Sequence, residues 1–135
     1  MIASMDAAAI ATSVRNGELR AEQVLDACIA RIDATEPQVN AFTDRTFDRA
    51  RREARAIDAK RARGEPLPAL AGVPYAVKNL FDIEGLVTRA GSKLLLGSPP
   101  AAADAVLAAA YRRRNRHAIH RRDHDGSSAG KGAGS

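Results

Sequence analysis

Tryptophan is absent from the chain, and two tyrosines and three phenylalanines bring aromatic residues to only 4% of 135 positions. Large core-filling side chains are therefore scarce, and any core must rest on aliphatic residues and alanine. Cys28 is the single cysteine, which excludes a disulfide framework and a cysteine-based metal cluster and fits a reducing cytoplasm. No run approaches eighteen uninterrupted apolar residues, so no membrane-spanning helix is expected. The opening MIASMDAAAIATSV has no basic leader, and Asp6 interrupts its apolar run, unlike a signal peptide. An excess of one charge is also missing from most of the chain. Residues 1–110 hold fourteen Lys and Arg against fourteen Asp and Glu, so the formal net charge of +5 lies wholly in residues 111–135. A neutral body with a basic tail is not a basic domain, and nucleic acid is not the expected partner of residues 1–110.

Three helices are expected in that body. Asp6 can cap a first over residues 6–16, with Ile10 and Val14 on one face and Gly17 at its end. Val24, Leu25, Cys28, Ile29 and Ile32 form the stripe of a second, over residues 21–34, with Pro37 ending the helical region. On that stripe Cys28 reads as an inert core residue. Val39, Ala41 and Phe42 suggest a short extended piece, and Thr43 or Asp44 a cap for a third helix over residues 44–62. Phe47, Ala50, Ala54 and Ile57 share one face of it. Its arginines (Arg45, Arg49, Arg51, Arg52, Arg55 and Arg61) alternate with Asp44, Asp48, Glu53 and Asp58, which reads as a solvated face bridged between neighbouring turns. A further helix start is expected over residues 102–110, with Asp104 in its first turn.

The stretch LAGVPYAVKNLFDIEGLVTRAGS, residues 70–92, holds the candidate chemistry. A short apolar run, Val73 to Val77, ends at Lys78 and reads as a buried strand that delivers a lysine at its end. Burial disfavours the ammonium, and a lysine driven toward neutrality is a usable base; the alternative is a lysine whose stem lies on the strand end with its head in water. Gly72, Pro74, Val77, Lys78, Asn79, Asp82, Gly85, Thr88, Gly91 and Ser92 stand where the N-terminal signature of the amidase signature family places them, and residues 6–107 resemble that family. The resemblance implies an α/β fold, of which this chain would be an N-terminal fragment, mostly helical with one or two short strands. It implies a Ser, cis-Ser, Lys mechanism of amide hydrolysis with Lys78 as the catalytic lysine and no metal or organic cofactor. The substrate would be a small urea- or biuret-type amide, and a small partner subunit is expected. A fragment of the tRNA-dependent amidotransferase branch is the alternative.

The resemblance places both serines in a block G-G-S-S-G-G-S well downstream of the lysine. Ser127 and Ser128 imitate it only superficially, because Asp125, Ala129 and Lys131 break its glycines, and Ser92 stands at a turn position of the signature. The chain alone is therefore expected to lack amidase activity. Residues 111–135 contain no Val, Leu, Met or Phe and are expected to form a disordered tail separate from the 1–110 body. An arm that contacts RNA or phosphate, a His117, His120 and His124 metal cluster, and sequence read out of frame are the three readings of this tail.

Overall fold

The computed structural model describes residues 1–42, 44–78, 81–90, 93–115 and 118–121. Helix α1 spans Ala7–Asn16; Asp6 accepts a hydrogen bond from the Ala9 N–H, and Gly17 closes the helix in the left-handed region at φ 79°. Helix α2 spans Ala21–Val39, longer than its apolar stripe suggested, because Pro37 lies within it. A proline that close to the C-terminus forfeits little of the remaining hydrogen-bond ladder. The stop comes at Asn40 instead, in the left-handed region at φ 48°. The Glu36 carboxylate, itself buried, accepts from the Phe42 N–H and turns the chain out of the helix. Val39 is thus helical and not extended.

Helix α3, Phe47–Ala62, lies against α2. It begins three residues later than expected, with Thr46 at its N-cap; Thr43 lies outside the described residues, and Asp44 faces Arg89 at 3.8 Å. Ala50, Ala54 and Ile57 are fully buried, as their spacing requires. The small alanines let α3 approach α2, whose Val24 and Leu25 fill the same core with Ile10 and Val14 of α1. The charged face differs from its expected form. Arg55 reaches Glu22 at 2.8 Å, Arg51 reaches Asp26 at 3.3 Å and Arg45 reaches Asp33 at 2.8 Å, all across to α2. Arg49 with Glu53 at 3.2 Å is an intrahelical pair. Packing brought α2 carboxylates within reach of long arginine stems, so the pairing lies between helices. Most of these pairs are exposed and contribute little stability each.

Asp58 does more. Its carboxylate accepts from the Ala21 and Glu22 N–H groups at 2.7 and 3.1 Å, capping the first turn of α2 from a neighbouring helix. Asp58→Ala is expected to lower stability by about 1–2 kcal/mol, the range for losing a helix cap. Urea denaturation followed by circular dichroism measures it, and Asp58→Asn should recover part of the loss.

After α3 the chain turns through residues 63–74 into strand β1, Tyr75–Lys78. Helix α4, Val106–Asn115, follows, and then strand β2, Ala118–Arg121, parallel to β1 with Lys78 opposite Arg121. Among the described residues the architecture is mostly helical with two short strands, as expected. Residues 111–115, expected in the tail, continue α4, and 118–121 pair with β1. Alanine and arginine are good helix formers, and a strand's ladder needs main-chain groups and not an apolar run. The rest of the expected tail lies outside the described residues.

Gly72 sets the approach to β1. Its φ is 81°, and a Cβ there would stand 2.8 Å from Cγ2 of the fully buried Val14. Gly72→Ala combines left-handed backbone strain with overpacking, and a loss of about 2–4 kcal/mol is expected. Gly64, at φ 70° with open space around it, is the control; Gly64→Ala should cost about 1 kcal/mol. Equal effects would show that the Val14 contact is unimportant.

Candidate active site

Lys78 is the last residue of β1, and the residues just before it are held by packing. Val77 is buried in a second cluster with Ile83 and Ala108, against which Tyr75, Phe81, Leu86 and Ala105 pack. This cluster joins the strand, the loop that leaves it and the start of α4. Asn79, Gly91 and Ser92 of the signature lie outside the described residues. The remaining signature residues shape the loop. The Thr88 hydroxyl donates to the Asp82 carboxylate, and the Leu86 N–H donates to the Ile83 carbonyl at 3.0 Å. Gly85, at φ 83°, donates its N–H to the Ala101 carbonyl, and the Ala101 N–H returns a bond to Leu86 at 2.8 Å. Asp82, Gly85 and Thr88 thus build the loop beside the strand end.

A buried ion pair anchors this loop, and sequence reasoning did not anticipate it. Arg49 donates from Nη1 and Nη2 to the two carboxylate oxygens of Asp104, at 3.1 and 2.7 Å, and from Nε to Glu53 at 3.2 Å. The side chains of Arg49 and Asp104 are 16% and 5% exposed, so water screens the pair poorly. Hydrogen bonding to Asp104 raises the Arg49 pKa, against a desolvation penalty, and keeps the guanidinium charged. Asp104 also accepts from the Glu84 N–H at 2.9 Å, and the Ala105 N–H donates to the Asp82 carbonyl at 2.8 Å. Asp104 therefore precedes α4 instead of standing in its first turn, and its carboxylate serves α3 and the loop. Arg49 looked like any other arginine of a solvated face, and Asp104 lies 55 positions away. No sequence signal joins them.

Other candidates stand apart. Cys28 lines an apolar groove of about 280 Å³ with Ile10, Val24, Val73 and Pro74, and burial raises its thiol pKa, in line with an inert core residue. His117, His124, Ser127 and Ser128 lie outside the described residues. His120 is in β2. Among the described residues no group of three or more potential metal ligands is gathered, and no helix there is long and apolar enough to cross a membrane.

Residues 23–119 match the Amidase family, and the chain belongs to it. It is 58% identical over 98 residues to AtzE, a 1-carboxybiuret hydrolase subunit of Pseudomonas sp. (strain ADP), an alignment covering 73% of this chain and 21% of that protein. It is 50% identical over 99 residues to the A subunit of glutamyl-tRNA(Gln) amidotransferase from Streptomyces avermitilis, covering 73% and 20%. Among solved structures, a chain of a vestigial protein complex that reveals the evolutionary origins of an s-triazine catabolic enzyme superposes with a TM-score of 0.81 at 50% identity, over 87% of this chain and 25% of that one. A bacterial aryl acylamidase of the amidase signature family superposes with a TM-score of 0.76 at 26% identity. The chain spans about a fifth of the length of the curated relatives it matches.

Proposed function

We propose that this chain is the lysine-bearing N-terminal part of an amide hydrolase whose substrate is a small urea- or biuret-type amide such as carboxybiuret. The observation that carries the reading is the strand β1, which ends at Lys78 inside the matched region and is followed by a loop built from Asp82, Gly85 and Thr88. The proposed role of Lys78 is that of base. A serine hydroxyl is a weak nucleophile at neutral pH and needs a neighbouring group to take its proton. In the proposed reaction that proton passes through a second serine to the neutral lysine amine as the first serine attacks the amide carbonyl. The C–N bond then breaks, the departing nitrogen takes the proton back, and water releases the acyl group from the serine. Every step is a proton transfer or an acyl transfer, so the scheme calls for no metal and no organic cofactor. A cytoplasmic setting and a small partner subunit complete the proposal; the 58% identical relative is itself named as one subunit of its enzyme.

The test is a chimera in which residues 6–107 replace the matching segment of the Pseudomonas 1-carboxybiuret hydrolase subunit. Turnover of 1-carboxybiuret within about tenfold of the parent, a barrier change near 1.4 kcal/mol, is the expected result. A folded chimera without turnover would contradict the reading. The 135-residue chain by itself is expected to leave 1-carboxybiuret unhydrolysed.

A further inference from the structure

We propose that Arg49 and Asp104 are positioning residues for Lys78, a role that rests on the reading of Lys78 as the base. The connection is continuous. Ala50, Ala54 and Ile57 lock α3 into the helical core, with no exposed surface. Arg49, on the same helix, grips both oxygens of Asp104. One of those oxygens also holds the Glu84 N–H, while the neighbouring Ala105 N–H holds the Asp82 carbonyl. Between these two anchored residues lies Ile83, only 2% exposed, which shares a buried cluster with Val77, the residue before Lys78. The loop after β1 is therefore held on both sides of that side chain, at Glu84 through Asp104 to α3 and at Asp82 by the Ala105 N–H.

The pair is built for geometry. A guanidinium fork meets a carboxylate through two parallel hydrogen bonds and fixes its orientation, which a lysine ammonium does not. Glu53, 11% exposed, takes the remaining Nε–H and prevents the fork from swinging. Arg49→Lys keeps the charge and the helix but loses the fork, so it separates orientation from mere neutralisation.

The experiment uses the full 135-residue chain, isotope-labelled, in three forms: unaltered, Arg49→Lys, and Asp58→Ala as a destabilised control remote from the loop. Two quantities are read, the exchange protection of the Glu84 amide by NMR in this chain and, in the chimera with the Pseudomonas protein, kcat and KM for 1-carboxybiuret. In Arg49→Lys, Glu84 protection should fall at least about tenfold, and kcat in the chimera should fall about tenfold with a smaller change in KM. Asp58→Ala should move neither beyond its global loss of stability. Unchanged Glu84 protection overturns the proposal. Lost protection with an unchanged kcat also overturns it, and shows a clasp that is structural alone. A chimera in which Lys78→Met leaves kcat within about tenfold marks a different failure, that of the base role on which the proposal rests.

Discussion

Arg49→Met is expected to destabilise the chain by about 3 kcal/mol or more. The substitution keeps an unbranched side chain of similar reach, so little packing is lost. It leaves the Asp104 carboxylate 5% exposed beside an apolar cluster with the Glu84 N–H still donating to it. A largely buried carboxylate that loses a bidentate guanidinium loses more than an exposed one, because little water reaches it. Removing the other member as well should recover much of the loss. The double variant Arg49→Met with Asp104→Leu is expected to be more stable than Arg49→Met alone, since the Asp104 charge no longer has to be held without the guanidinium. A double-mutant cycle in urea gives the coupling directly. Exposed pairs provide the contrast: Arg45→Met removes the bridge to Asp33, whose side chains are 43% and 55% exposed, and should change stability by less than about 1 kcal/mol. Equal effects at Arg45 and Arg49 would show that burial adds nothing to the strength of the Asp104 pair.

The helical core could be read almost entirely from spacing. Ile10 and Val14, then Val24, Leu25, Ile29 and Ile32, then Ala50, Ala54 and Ile57, recur at helical intervals, and all are buried. The helix ends were less legible, for local reasons that a pattern does not carry. Pro37 sits so near the end of α2 that it breaks little, and the true stop depends on Asn40 tolerating a left-handed backbone. Long-range pairing was not legible at all. Apart from Glu53, the carboxylates that meet Arg49, Arg51 and Arg55 come from α2 and from Asp104, contacts decided by how the elements pack. The strand ending at Lys78 was visible as an apolar run bounded by Gly72, and the glycine's purpose became visible only with Val14 beneath it. The same division holds at the candidate site. Lys78 could be named from its strand and signature, whereas the residues that anchor the loop beside it could not. β2 escaped sequence reading because its residues show no apolar alternation and its pairing is a main-chain ladder.

The central claim, that this chain supplies the catalytic lysine of an amide hydrolase, is tested most directly by Lys78→Met in the chimera with the Pseudomonas protein. Methionine retains the unbranched stem and removes the amine, so the fold should survive and the base should not. If Lys78 accepts the serine proton, kcat for 1-carboxybiuret should fall by about 10³-fold or more with a smaller change in KM, as general-base removal predicts. The thermal melt should stay within a few degrees of the unsubstituted chimera. A folded Lys78→Met chimera turning over at a rate within about tenfold of the unsubstituted one would contradict the claim and return Lys78 to the role of an ordinary strand-end lysine.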